Sequence, residues 1–246
     1  MKNERSLKIL EIVSRADKPV GSWYIANKLS EVGIEVSFAT IGRDLNSLEQ
    51  KGFLKKNGIK GRTITPLGVE ALLKSKKKQS IEEHNTKLVN LINSNVLKNF
   101  LMVLEARKTI EMTTARLAAQ NITDNELKKL SDILTKQQKS YMLNKSAALE
   151  DIEFHRTIAI ASRNEVLSSL YMFIATMGQQ SELFEQLWRK LHKPYMGYHQ
   201  SIYESLKEHS PEKAEKYMEA HLNQLCRDVE NFWHEFNENK SISNDS

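Results

Sequence analysis

Four residues in this chain have the types and spacing to do chemistry together: Asp151, His155, His199 and His221. Asp151 and His155 are four apart in a helical stretch, so they share one face. His199 and His221 each lie eleven residues from Ser210, which opens Ser-Pro-Glu. Ser followed by Pro reads as an N-cap and the first position of a new helix. If the chain folds back there as a helical hairpin, both imidazoles sit roughly 16 Å from the turn at the α-helical rise and face each other. One carboxylate and three neutral imidazoles suit Zn, Ni, Mn or Fe(II). The spacing therefore predicts a divalent metal site inside a helical bundle, and a metal site of that kind suggests a small-molecule sensor.

The elements that must position these residues follow from the rest of the chain. With nine Gly and four Pro in 246 residues, long stretches lack both, which favours helix. The 40% apolar content suffices for a core. From residue 96 the pattern is helix after helix: Val96 to Gln120, a capping box at Thr123–Glu126 opening the next, Ala147 to Ala161, a helix from Ser162 or Asn164 to about Leu191, Pro194 to His209, and Pro211 to about Phe236. No strand signal and no internal repeat occur in this half. Residues 79–95 are polar and read as a partly helical linker.

The front of the chain reads differently. Residues 1–79 hold sixteen Lys/Arg against eight Asp/Glu, whereas the remainder holds twenty against twenty-three. A basic first third joined to a slightly acidic body implies an anionic partner for the first part, with nucleic acid the leading candidate. Arg5–Arg15 carries Leu7, Leu10 and Val13 at helical spacing, with Ile9 and Ile12 widening the face. Ser22 is expected to cap a second helix, and Ser37 a third with Ile41, Leu45 and Leu48 inside. Phe53–Lys56, Asn57-Gly58 and Arg62–Ile64 read as a hairpin with Lys60 and Arg62 at or near its tip. Three helices and a basic hairpin make a winged helix-turn-helix, whose third helix enters the major groove. Ser37, Thr40 and Arg43 are expected to reach duplex DNA first, with Arg43 the candidate for a base edge. Lys55, Lys56, Lys60 and Arg62 are expected on phosphates.

The chain is thus expected to be mainly α. An N-terminal winged helix-turn-helix (three helices plus a β-hairpin wing) spans residues 1–78, a linker 79–95, and an all-α helical bundle 96–238. Cys226 alone precludes an internal disulfide and suits a reducing cytoplasm. No apolar run approaches the roughly 18 residues of a membrane span, and charge interrupts the apolar run of the N-terminus, unlike a signal peptide.

Several motifs carry a resemblance. Residues 1–75 resemble winged-helix domains at the front of some prokaryotic repressors and of ribonuclease R, through the third-helix core, Gly52-Phe53-Leu54 and Thr65-Pro66-Leu67-Gly68. Glu105-Ala106-Arg107, Ile110-Glu111, Asp151 to Arg156, Tyr198-His199-Gln200 and Met218 to Leu222 resemble the FCD sensor domain of the FadR subfamily of GntR regulators, over roughly 96–236. The Leu-Pro-Ser-Glu segment and Gly-x-Gly wing usual in GntR winged helices are missing, so this front is atypical. The resemblance implies that Asp151, His155, His199 and His221 bind a divalent metal, that the effector is a small organic acid, and that Arg107 holds its carboxylate through bidentate donors. The expected function is a metabolite-responsive DNA-binding regulator, a repressor, acting as a homodimer on a double-stranded operator. The alternative is a metal-dependent enzyme acting on a small organic acid, with the winged helix as a protein- or RNA-interaction module. A di-iron carboxylate enzyme fits poorly, because no histidine has a Glu three residues before it; Ile152 stands there for His155.

Overall fold

The computed structural model describes residues 2–94, 96–178 and 195–243, with side chains over 4–94, 96–175 and 195–233. Two units divide the chain, residues 1–86 and 87–246. The first holds α1 (Lys2–Ser14), α2 (Ser22–Ser30), α3 (Phe38–Gln50), the strands β1 (Leu54–Lys56) and β2 (Arg62–Ile64), and most of α4 (Pro66–Ile92). The stretch expected as a linker is helical through Ile92 as the second half of α4.

Each helix of the first unit turns its apolar stripe to one core. Ile9, Leu10 and Val13 of α1, Ile25 and Leu29 of α2, and Ile41, Leu45 and Leu48 of α3 form it, with Leu54 and Leu72. Ser37 caps α3 as expected, its Oγ accepting from the Thr40 N–H. The expected cap of α2 is displaced by one residue. Gly21 holds the cap position without a side-chain bond, and Ser22 is the first helical residue.

The wing is wider than a two-residue turn. A short 3₁₀ turn at Gly58–Lys60 lies between the strands, and β1 pairs with β2 antiparallel with Leu54 opposite Ile64 and Lys56 opposite Arg62. Lys60 is in the loop. Arg62 opens β2 next to that loop, and its other edge bridges Val20: the Val20 N–H donates to Arg62 O at 2.9 Å and the Arg62 N–H to Val20 O at 2.8 Å. The strand therefore extends toward the α1–α2 connection, which the hairpin pattern alone does not reveal.

The second unit is helical throughout its described residues. It contains α5 (Leu97–Asn121), α6 (Asp124–Met142), α7 (Ala148–Ala161), α8 (Glu165–Gly178), α9 (Met196–Lys207) and α10 (Pro211–Ser243). The predicted capping box opens α6: the Thr123 N–H donates to Glu126 Oε2 at 3.0 Å, and the Glu126 N–H returns a bond to Thr123 Oγ1 at 3.4 Å. The helix expected to reach Leu191 is described to Gly178, and its remainder lies outside the described residues. α5 packs along α10, α7 against α5, α6 and α8, and α9 against α10, α6 and α5. Leu104, Ala115, Leu130, Phe154, Ile158, Ile202, Leu206 and Leu222 fill the space between them. Among the described residues no helix is long and apolar enough to cross a membrane.

Gly61 is the backbone position on which the wing depends. Its φ is 116°, a region that side chains disfavour, and a Cβ there would collide with the Val20 carbonyl. Gly61→Ala is therefore expected to cost more than about 1 kcal/mol. It should also speed amide exchange at Val20 and Arg62, which hydrogen-exchange mass spectrometry of the full chain measures. Unchanged exchange at both amides would refute the constraint.

Candidate functional site

α7 carries Asp151 and His155 one turn apart on its buried face. α9 carries His199 and α10 carries His221. Pro211 opens α10 and the Ala214 N–H bonds to Ser210 O at 3.0 Å, so the reversal falls at the predicted turn. The equal offsets then do what the spacing requires: the rings of His199 and His221 lie 4.7 Å apart between centroids. His155 Nε2 is 3.2 Å from His221 Nε2 and 3.8 Å from Asp151 Oδ1, and His199 Nε2 is 3.3 Å from the same carboxylate oxygen. One donor atom from each residue lies within 4.8 Å of the other three, and all four residues are buried.

An acceptor stands at the far side of two rings. Gln137 Oε1 is 3.0 Å from His199 Nδ1. An amide oxygen only accepts, so the His199 Nδ1 donates and its Nε2 keeps its lone pair. Glu111 Oε2 is 2.6 Å from His155 Nδ1, an ion-pair contact without the alignment of a hydrogen bond. Burial alone would raise the Glu111 carboxyl, but the charge of Arg107 and the neighbouring His155 outweigh it and hold it down at about 2. Arg107 Nε donates to Glu111 Oε1 at 2.7 Å, one turn along α5.

Burial and the adjacent rings push His199 and His221 well below the usual imidazole range. Neutral rings do not relieve the crowding of inward nitrogens by protonation. Burial also raises the Asp151 carboxyl, a cost that a cation beside it would remove. Donors 3.2 to 3.8 Å apart are spaced like ligands about 2.0–2.2 Å from one ion. These residues thus fit a divalent cation, and Asp151, His155, His199 and His221 are the ones that would hold it. The cation would supply Lewis acidity for an oxygen ligand.

Two residues of this region were not singled out from sequence. Glu111 sits four residues after Arg107 and reads as a surface ion pair, yet both are almost fully buried, at 1% and 3% exposure. Gln137 carries no sequence signal at all; it faces His199 from α6, 62 positions away.

The other expected site residues lie on the first unit. Ser37 and Arg43 are exposed and Thr40 is partly so. The three are linked, Arg43 Nη2 donating to Thr40 Oγ1 at 3.1 Å and the Thr40 and Ser37 hydroxyls lying 3.0 Å apart. Thr40, Arg43, Ser47 and Lys51 line a cleft of about 530 Å³ with Arg5 of α1, whose Nε lies 2.6 Å from Asp44. Lys55, Lys56 and Lys60 are exposed along the wing. Arg62 is placed differently: its Nε donates to Glu49 Oε2 at 2.9 Å and its Nη2 to Asn46, tying β2 to α3.

The sequence profile of the FCD domain matches residues 102–224, half of the chain. The chain belongs to the FCD domain family. The metal cluster, Arg107, Glu111 and Gln137 all fall inside the matched segment. Residues 7–72 match the ribonuclease R winged-helix domain. Over 124 residues the chain is 28% identical to the uncharacterized HTH-type transcriptional regulator YcbG of Bacillus subtilis, covering 50% of this chain and 52% of that protein. Over 66 residues it is 36% identical to the global nitrogen regulator NrpRI of Methanosarcina mazei, covering 26% of this chain and 20% of that one. The chain thus spans about half or less of these relatives' lengths. A solved GntR-family transcriptional regulator from Pseudomonas syringae pv. tomato shares the fold at 12% identity and a TM-score of 0.50, over 97% of this chain and 98% of that one. The FCD assignment expected from the motifs therefore holds.

The enzyme alternative finds no support around the FCD cluster. The candidate bases beside the ligands in sequence are engaged elsewhere, Glu153 with Lys129 and Glu150 with the Ser140 hydroxyl. If the cluster holds an ion, a chelator should lower the thermal midpoint of the full-length protein. Metal at about 100 times its dissociation constant corresponds to roughly 2.7 kcal/mol of linkage. His199→Ala should abolish the response. Identical midpoints with and without chelator would show that no ion is bound.

Proposed function

We propose that this protein is a metabolite-responsive, DNA-binding transcription regulator of the cytoplasm. Its FCD unit binds a divalent metal and a small carboxylate effector, and its winged helix binds duplex DNA as part of a homodimer. The observation that carries this reading is the buried cluster of Asp151, His155, His199 and His221 beside a buried arginine, on a chain whose other unit is a basic winged helix.

Charge supports an anionic effector. Among the described residues the buried acidic and basic side chains of this unit, the histidines apart, are Arg107, Glu111, Asp151 and Asp228. A dication at the cluster would offset the buried carboxylates and offer an anionic ligand a positive centre beside Arg107. Arg107 presents a planar fork suited to a carboxylate. Because the cluster is drawn from α7, α9 and α10 while Arg107 stands on α5, a ligand touching both biases the packing of these helices. The effector then shifts DNA affinity by its differential affinity for the two states, and linkage makes the coupling reciprocal.

On the first unit, Arg43 is the candidate for base reading and Lys55, Lys56 and Lys60 for phosphates. Arg62 is proposed as a phosphate contact that also braces β2 against α3 through Glu49.

Two measurements test the reading. Duplexes selected from a random library should bind the full-length protein in fluorescence anisotropy. Arg43→Ala should cost about 1–3 kcal/mol and relax specificity, whereas Lys60→Ala should weaken all sequences alike and lower the salt slope by about one. A thermal-shift panel of small mono- and dicarboxylates should yield a stabiliser only when metal is present, and Arg107→Met should remove the shift. Retention of the shift in metal-stripped protein would sink the proposed sensor.

A further inference from the structure

α5 contributes no ligand to the cluster, yet it turns two opposite charges inward. Arg107 and Glu111 are 3% and 1% exposed. A buried ion pair is a poor source of stability, because desolvation offsets its attraction and an apolar pair of the same size serves as well. The placement of the two carboxylate oxygens suggests a different role. Glu111 Oε1 receives Arg107 Nε at 2.7 Å, while Oε2 lies 2.6 Å from His155 Nδ1. On the opposite edge of that ring, His155 Nε2 faces His221 Nε2 and Asp151. One carboxylate is stretched between a guanidinium and an imidazole, each oxygen serving one of them.

An imidazole that donates from Nδ1 has one tautomer left, with the lone pair on Nε2. A carboxylate acceptor also makes that lone pair a better donor to a metal than a neutral acceptor would. His199 has a neutral acceptor, Gln137. The two rings thus face acceptors of different charge, a carboxylate for His155 and an amide for His199.

We propose that Glu111, itself held by Arg107, is a positioning residue of the metal centre that fixes the Nδ1–H tautomer of His155 and sets the affinity for a divalent cation. This rests on reading the cluster as a metal site. The competing view is that Arg107 and Glu111 only secure α5 in the bundle. On that view metal affinity is indifferent to what faces His155, provided the fold is intact.

Glu111→Gln alone would strand the Arg107 charge in the interior, so the diagnostic variants remove that charge together with the carboxylate. Arg107→Met/Glu111→Gln keeps an uncharged acceptor for His155 Nδ1–H, and Arg107→Met/Glu111→Met removes it. Full-length proteins stripped of metal are compared by thermal midpoint, then titrated with Co²⁺ against a competing chelator. Long-range ¹H–¹⁵N spectra of the stripped proteins report the His155 tautomer. Affinity should fall from wild type to the Gln variant to the Met variant, the last by about 10–100-fold. The Nδ1–H signature should survive in the first two and be lost in the third. Equal affinities in all three proteins would overturn the proposal and leave the metal centre standing. If the Met variant does not fold, wild type against the Gln variant decides: a several-fold loss supports the role of the charged acceptor, and equality overturns it. Failure of the wild type to bind Co²⁺ would remove the metal reading and this inference with it.

Discussion

The second unit is organised by one constraint: a carboxylate and three imidazoles must share a buried interior with their donor atoms within 4.8 Å of one another. Such a group is unfavourable unless something compensates the lone pairs that point inward. Backbone geometry meets the positional part of the demand with few devices. One helical turn on α7 sets Asp151 beside His155, and a tight reversal at Ser210 sets His199 level with His221. Apolar packing around the rings, such as the stacking of Phe154 on His199 at 4.5 Å, excludes water that would otherwise satisfy the nitrogens. The low dielectric that makes the group costly is what makes a cation there strongly held.

The outer contacts matter as much as the inner ones. Imidazole has two equivalent ways to carry its single proton, and an unconstrained ring presents a lone pair inward only part of the time. Gln137 removes that freedom for His199, and Glu111 stands 2.6 Å from Nδ1 of His155. They come from α6 and α5, which supply no ligand, so five of the helices that pack together bring a side chain to the centre. Deforming the packing of α5 therefore reaches His155 through Glu111, without any change in the ligands' own helix.

Much of this arrangement was legible in the sequence because it is local or symmetric about a turn. The i, i+4 pair on α7, the equal offsets around Ser210, the capping box at Thr123 and the stripe Ile41–Leu45–Leu48 are each written in a few neighbouring positions. The outer contacts were not. Arg107 and Glu111 have the spacing of an ordinary surface ion pair, and only the tertiary burial of that face of α5 distinguishes them. Gln137 is an amide in a polar helix until α9 is laid across it. The further contacts of Arg62 escape the sequence for the same reason. Its bridge to Val20 and its bond to Glu49 join segments far apart in the chain, and a hairpin pattern reports on neither.

The sign of the charge buried in the FCD unit gives these parts a logic as a sensor. Without a cation, Glu111, Asp151 and Asp228 outnumber Arg107 among the described buried charges, and an anion entering the interior meets net repulsion. Burial answers part of this by raising the Asp151 carboxyl. With a dication beside the same side chains that excess is offset, and an entering carboxylate is attracted by both the ion and the guanidinium. Metal and anion would then each favour the other, a positive coupling that follows from the charges alone and requires no particular helix movement.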